Sequence, residues 1–165
     1  MPATTDFWKK IVWFQPEEFG IPEHDEALRR QEGLEMNRVL ILKMDAMRHL
    51  VGQPIHIHAG FATKGHAQNS QHYLHNAADF HVEGLNLTAQ FYYAMMFRFP
   101  AIGLYPFWKW NGKPRPGLHV DERPLQAIAS VVLWWRDAKG TYHKLETAMA
   151  IRDVLMEGDL LYARG

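Results

Sequence analysis

Ten histidines stand in the chain, and six of them fall between His56 and His81. Imidazole ligates metals and titrates near neutrality, so a local surplus points to metal or proton chemistry. His72 and Asp79 share the segment Ser70-Gln71-His72-Tyr73-Leu74-His75-Asn76-Ala77-Ala78-Asp79-Phe80. A second segment, Gly117-Leu118-His119-Val120-Asp121-Glu122-Arg123, adds His119. Two imidazoles and one carboxylate suit zinc and leave a fourth position for water. A metal there lowers the pKa of that water and polarises a carbonyl, which suits amide hydrolysis. The chain has no cysteine, which excludes disulfides, thiolate metal sites and a thiol nucleophile.

These residues need a scaffold, and 165 residues with 47% apolar and 22% charged side chains are enough for one globular domain. Lys+Arg and Asp+Glu both number 18, so the net charge is zero with neutral histidine. That argues against a broad electrostatic binder of nucleic acid. The richest apolar run, Leu125 to Trp135, is interrupted by Gln126 and Ser130 and is too short to span a bilayer. Met1 to Lys10 is polar and lacks a basic start with an apolar stretch, so no signal peptide is expected. The expectation is synthesis in the cytoplasm, with any export by another route, such as phage lysis or virion assembly.

The pattern of elements is mixed. Residues 14–19 suggest a short helical turn, with Pro16 at its start and Glu17 and Glu18 complementing the helix dipole. Met36, Leu40, Met44 and Met47 recur at helical spacing, predicting a long amphipathic helix from Glu26 to about Leu50. Ile55, Ile57, Ala59 and Phe61 alternate with His56, His58 and Gly60, predicting a two-faced strand. A polar loop over 62–71 precedes a strand at 76–82, and Asn86 or Thr88 caps a helix running to about Phe97. Strands follow at 102–105 and 118–121, separated by a Pro/Gly loop over 111–117. Residues 129–136 and 141–145 flank a hairpin turn at 137–140, and 146–156 form a helix ended by Gly158. This arrangement is α+β with a small antiparallel sheet packed with helices. Residues 1–145 form one domain, and 146–165 are a helical extension, either part of the same globule or an assembly element.

The first segment resembles the S-x-H-x-x-G-x-A-x-D signature of the zinc D-Ala-D-Ala carboxypeptidase and endolysin family, which has the hedgehog/DD-peptidase fold. The second resembles the H-V-D-x-R signature of one branch. The resemblance covers roughly residues 14–124. It implies zinc held by His72, Asp79 and His119, and a substrate class of peptidoglycan peptides.

Three positions depart from the family pattern. His75 replaces the glycine of the first motif. Ala62 stands where many members carry a substrate-binding arginine, with Lys64 as a nearby charge. Pro116 stands where many members carry an acidic base. Asp121 shares strand parity with His119 and is the expected replacement base, or else a carboxylate that fixes a ligand's tautomer. His75 and His81 are candidate cleft residues that contact substrate, and Arg123 either touches substrate or supports its loop. His56 and His58 share a strand face, suiting either a second metal or a plain sheet surface. Phe107, Trp108 and Trp110 suit a substrate wall or the core. The expected function is a zinc metallopeptidase acting on peptidoglycan. The alternative is a metal-binding or structural protein of a phage or prophage particle, partnered through its C-terminal helix or with copies of itself.

Overall fold

The computed structural model describes residues 5–124 and 131–165. The order begins α1 (Thr5–Trp8), a 3-10 turn (Pro16–Phe19), α2 (Glu26–Leu34), α3 (Arg38–Val51) and β1 (Ile55–Ala59). A second 3-10 turn (Gln71–Leu74), β2 (Ala77–Val82), α4 (Leu87–Met96) and β3 (Ala101–Tyr105) follow. Then come β4 (Lys109–Trp110), β5 (Lys113–Pro114), β6 (Gly117–Asp121), β7 (Val132–Arg136), β8 (Tyr142–Lys144) and α5 (Ala148–Ala163). The fold is α+β. Among the described residues no helix is long and apolar enough to cross a membrane.

Six strands form one sheet in the order β1-β2-β6-β3-β7-β8. It is mixed, which corrects the antiparallel expectation. β6 ends with Asp121 beside Ala101, and β7 begins with Val132 beside the same residue. β6 and β7 flank β3, and β7 starts at the sheet end where β6 stops, so it runs opposite to β6 and parallel to β3. The remaining pairings are antiparallel. The start of the hairpin strand expected at Ala129 lies outside the described residues.

Strand parity gives the sheet two unlike faces. Ile55, Phe80, Val82, Leu118, Val120, Ile102 and Leu104 join the apolar core with Met36, in the link before α3, and Leu40, Met44 and Met47 of α3. Burial of these methionines agrees with their helical spacing and with the use of Met to fill irregular gaps. The alternate strand positions, His56, His58, Asp79, His81, His119, Asp121, Gly103, Tyr105 and Trp134, fall on the opposite side.

Local chemistry explains the altered boundaries. The expected long helix is two, α2 ending at Leu34 and α3 starting at Arg38, and Gly33 near the end of α2 packs directly on Pro16, whose carbonyl a Cβ would strike. Asn37 then caps α3 by accepting from the amides of Val39 and Leu40. The Pro/Gly loop supplies the turn and second strand of the small β4–β5 hairpin, turned by Asn111 and Gly112 at φ 51° and 77°. Both central positions of such a tight turn require positive φ, which Asn-Gly tolerates. Gly158 does not end the last helix. It lies in mid-helix because a Cβ there would meet Leu87 Cδ2 at 2.6 Å, so it serves close packing of α5 on α4.

Gln90 is a buried polar residue whose role is structural. Its Oε1 accepts from the Val82 amide at 3.0 Å, and its Nε2 donates to the carbonyls of Leu85 and Pro116. These bonds tie the end of β2 to the entry of β6.

One row of paired residues crosses the sheet: Ala59, Asp79, His119, Gly103 and Trp134. Gly103 leaves room for the Trp134 indole, since a Cβ there would lie 2.3 Å from Cζ2. The ring thereby reaches His119, with centroids 5.1 Å apart. Gly103→Ala should force the indole away at a cost of ~1–3 kcal/mol. Calorimetry should report a Tm lowered by about 2 °C or more, with altered tryptophan fluorescence. An unchanged Tm and spectrum would show that the indole does not depend on the glycine.

Candidate metal centre

Three elements bring the donors together. Ser70 caps the 3-10 turn by accepting from the His72 amide, which fixes His72 at the turn's edge. Asp79 sits on β2 and His119 on β6, directly opposite in the antiparallel ladder. Cross-strand partners on one face have Cβ atoms about 5 Å apart, within reach of a shared ion.

The resulting atoms form a small triangle. His72 Nε2 lies 3.2 Å from His119 Nδ1 and 3.2 Å from Asp79 Oδ1, and His119 Nδ1 lies 2.7 Å from Asp79 Oδ1. A tetrahedral zinc shell with bonds of about 2.0–2.1 Å has edges of about 3.3 Å. Two edges match this spacing and the third is a His119–Asp79 hydrogen bond, so the donor types and arrangement suit a metal ion with a small outward shift of that pair. His72 Nδ1 lies 2.6 Å from the Gly60 carbonyl and donates to it, leaving Nε2 with its lone pair toward the triangle. His119 Nε2 donates to Asp121 Oδ2 at 2.9 Å, leaving Nδ1 to face Asp79. Each imidazole is thus oriented through its far nitrogen, as metal-ligating histidines usually are.

His66 stands at the same place. His66, His72 and Asp79 form a group able to hold a metal, with ligand atoms all within 4.8 Å of one another. The His66 ring lies against His72, with centroids 4.2 Å apart. His66 has no assigned role at the sequence level, because its loop has neither periodicity nor a fixed spacing to the other ligands. The only available signal is its membership of the histidine cluster.

Electrostatics pull the buried groups apart. Burial raises the Asp79 carboxyl, yet His72 and His119 hold it well below the usual carboxylate range. Burial lowers His119, but its bonds to Asp121 and Asp79 outweigh this and raise it to about 9. Asp121 is likewise raised by burial and lowered more strongly by Arg123 and His119, to about 2. The metal-free centre is therefore an imidazolium between two carboxylates. Tyr105 stays protonated, pushed up by burial and by Asp79, and its hydroxyl lies 3.4 Å from both Asp79 oxygens.

Above the triangle opens a cavity of about 290 Å³. Its walls include His66, Gln71, Tyr105, Arg123, Trp134 and Tyr142. Arg123 therefore borders the cavity, while its Nε and Nη2 engage both oxygens of Asp121.

Other expected site residues stand elsewhere. Asp121 is fully buried behind His119, with its oxygens engaged by His119 and Arg123. This is the tautomer-fixing position, on the far side of the imidazole from the triangle, and differs from the expectation of a base. His75 ends the 3-10 turn at φ 57°, and its ring stacks on Phe61 at 3.9 Å. A left-handed position favours glycine, so stacking accompanies the larger residue there. His81 also turns away from the cavity. It lies 2.7 Å from His58 across an imidazole–imidazole hydrogen bond and stacks on His56 at 4.8 Å. Trp108 and Trp110 pack edge-on against His58. Lys64 is exposed and lies outside the cavity lining.

The titrations predict a narrow stability optimum for the metal-free protein. The folded-state pKa of His119 rises from 6.5 to about 9, so its stabilisation is full below 6.5 and disappears toward 9. His81 falls from 6.5 to about 4, through burial first and then its histidine neighbours, so protonation of the unfolded chain costs stability below 6.5. Asp121 adds a further loss from 3.8 toward 2. In chelator-treated protein, Tm should peak near pH 6.5 and drop by about 3 °C or more by pH 9. A Tm that holds steady or rises over that interval would contradict the ion pairing of His119.

Comparison with protein-family models, curated proteins and solved structures finds no match to this chain.

Proposed function

We propose that the chain is a zinc-dependent peptidase of the hedgehog/DD-peptidase type, hydrolysing amide bonds in peptidoglycan peptides. His72, Asp79 and His119 are its metal ligands. The observation that carries this reading is the triangle of donor atoms at the floor of a cavity, with both imidazoles oriented from behind. The resemblance of the two sequence segments to the family signature supplies the substrate class.

Bound zinc would polarise the scissile carbonyl and lower the pKa of a water. Asp121 orients His119 and stabilises charge on its ring, and Arg123 balances the Asp121 carboxylate. Arg123 Nη1 carries no hydrogen bond among the described residues and meets a substrate carboxylate at the cavity wall. Tyr105 steadies the ligand carboxylate of Asp79. Trp134 and Tyr142 line the cavity with aromatic rings, against which the peptide's aliphatic side chains would pack. His75 and His81 have no contact with substrate in this reading.

A second reading has its own observation. Asp79 is in the triangle, and no Asp or Glu belongs to the lining of the cavity above it among the described residues. Without a carboxylate to take the water's proton, the same centre suits a metal-binding or structural protein of a phage or prophage particle. Met149, Met156 and Leu160 are exposed on α5 and suit assembly with copies of the chain or a particle partner.

Purified protein should carry one zinc per chain, and His72→Ala should lose it. Asp121→Asn should retain the fold and weaken zinc by ~10–100-fold. Digests of purified peptidoglycan, followed by mass spectrometry, should reveal new amine termini that chelator suppresses and zinc restores. Zinc-loaded protein that releases nothing from walls of several cross-bridge chemistries would exclude the peptidase and leave the structural reading.

A further inference from the structure

The centre offers more protein donors than an open catalytic zinc site uses. His72 Nε2, Asp79 Oδ1 and His119 Nδ1 form one face. His66, His72 and Asp79 form a second that shares the His72–Asp79 edge. The His66 ring lies along His72 and also forms part of the cavity wall. It consequently stands on the side from which water or substrate must approach.

Its attachment is asymmetric. The Tyr73 hydroxyl accepts from the His66 amide at 3.0 Å and donates to the His66 carbonyl at 2.9 Å. Tyr73 thus clamps the backbone, while the imidazole is held by ring contacts with His72 and Tyr73 and by no side-chain hydrogen bond among the described residues. The ring is half-buried, unlike those of His72 and His119. Gly65, at φ 88° and with open space around its Cα, precedes the clamp.

We propose that His66 is a displaceable fourth metal ligand. In the resting protein its imidazole closes the shell built by His72, Asp79 and His119, and it must swing aside before water or a substrate carbonyl can reach the metal. This inference rests on the metal centre proposed above. A shell of three imidazoles and a carboxylate is closed, as structural zinc sites are, whereas loss of one ligand opens the position that catalysis needs. His66 thereby regulates access to the centre, and the Tyr73 clamp sets how near the imidazole stays.

The test uses wild type, His66→Ala and Tyr73→Phe as full-length metal-loaded proteins. Zinc affinity is measured by competition with a chromophoric chelator. Access to the metal is measured by titrating the cobalt(II) forms with azide and following the visible spectrum. Loss of a ligand should weaken zinc by at least the ~10-fold typical of losing an orienting partner. Azide should bind His66→Ala at least ~10-fold more tightly, because its position is no longer contested. Tyr73→Phe should move both quantities in the same direction by less, since the imidazole remains but its backbone is released. If His66→Ala fails to fold, His66→Asn keeps a polar side chain of shorter reach and should show the same two changes. Stoichiometric zinc with both constants unchanged in the folded His66 variant would overturn the role of His66 alone. Absence of zinc from the wild type, or zinc binding that survives His72→Ala unchanged, would overturn the underlying metal centre as well.

Discussion

The register between β2 and β6 is the constraint on which the centre depends. Asp79 faces His119 across the ladder, so two donors share one side of the sheet at bonding distance. A slip of one residue would exchange His119 for Leu118 or Val120 and turn the donor face into the core face. The apolar residues on the opposite side resist such a slip, because Phe80, Leu118 and Val120 are all fully buried. Core packing and metal geometry are thus enforced by the same alternation of side chains. The turn that presents His72 needs only to meet this fixed pair.

Beyond the donors, charge runs outward in a chain: Asp79, His119, Asp121, Arg123. Each buried charge has a neighbour of opposite sign, which offsets the high cost of taking an ion out of water. The arrangement also separates tasks. Asp79 faces the donor triangle, whereas Asp121 works through the imidazole and keeps its oxygens occupied. Asp79, opposite His119 in the ladder, and Asp121, two residues along β6, therefore have different chemical meanings, set by which nitrogen each addresses.

Much of this was legible from local patterns. The alternation in β1 predicts its two faces, and the methionine spacing predicts the buried side of the helical segment. His72, Asp79 and His119 follow from two short segments and meet in space. The missing parts required information that period and composition do not carry. The long helix is divided beside the contact of Gly33 with Pro16, which joins distant segments, and Asn37 caps its second part. The parallel pairing of β3 with β7 follows from β7 starting at the sheet end where β6 stops, which no local pattern encodes. Strand parity correctly puts His81 on the same face as Asp79, but not whether it meets the cavity or the His56–His58 cluster. His66 joins the centre through a loop, where no periodicity constrains direction.

The bonds made by Gln90 have a kinetic consequence. They hold β2 and β6 together at the ends away from Ala77 and Asp121, beneath the core face of the sheet. Separating the two strands from that end requires breaking buried hydrogen bonds in an apolar setting, which is costly. Fluctuations that expose the centre therefore begin in the loop bearing His66 and the turn bearing His72, while the paired strands stay closed. Amide protons of β2 and β6 should therefore exchange slowly as one unit, and those of the loop by a separate, faster opening.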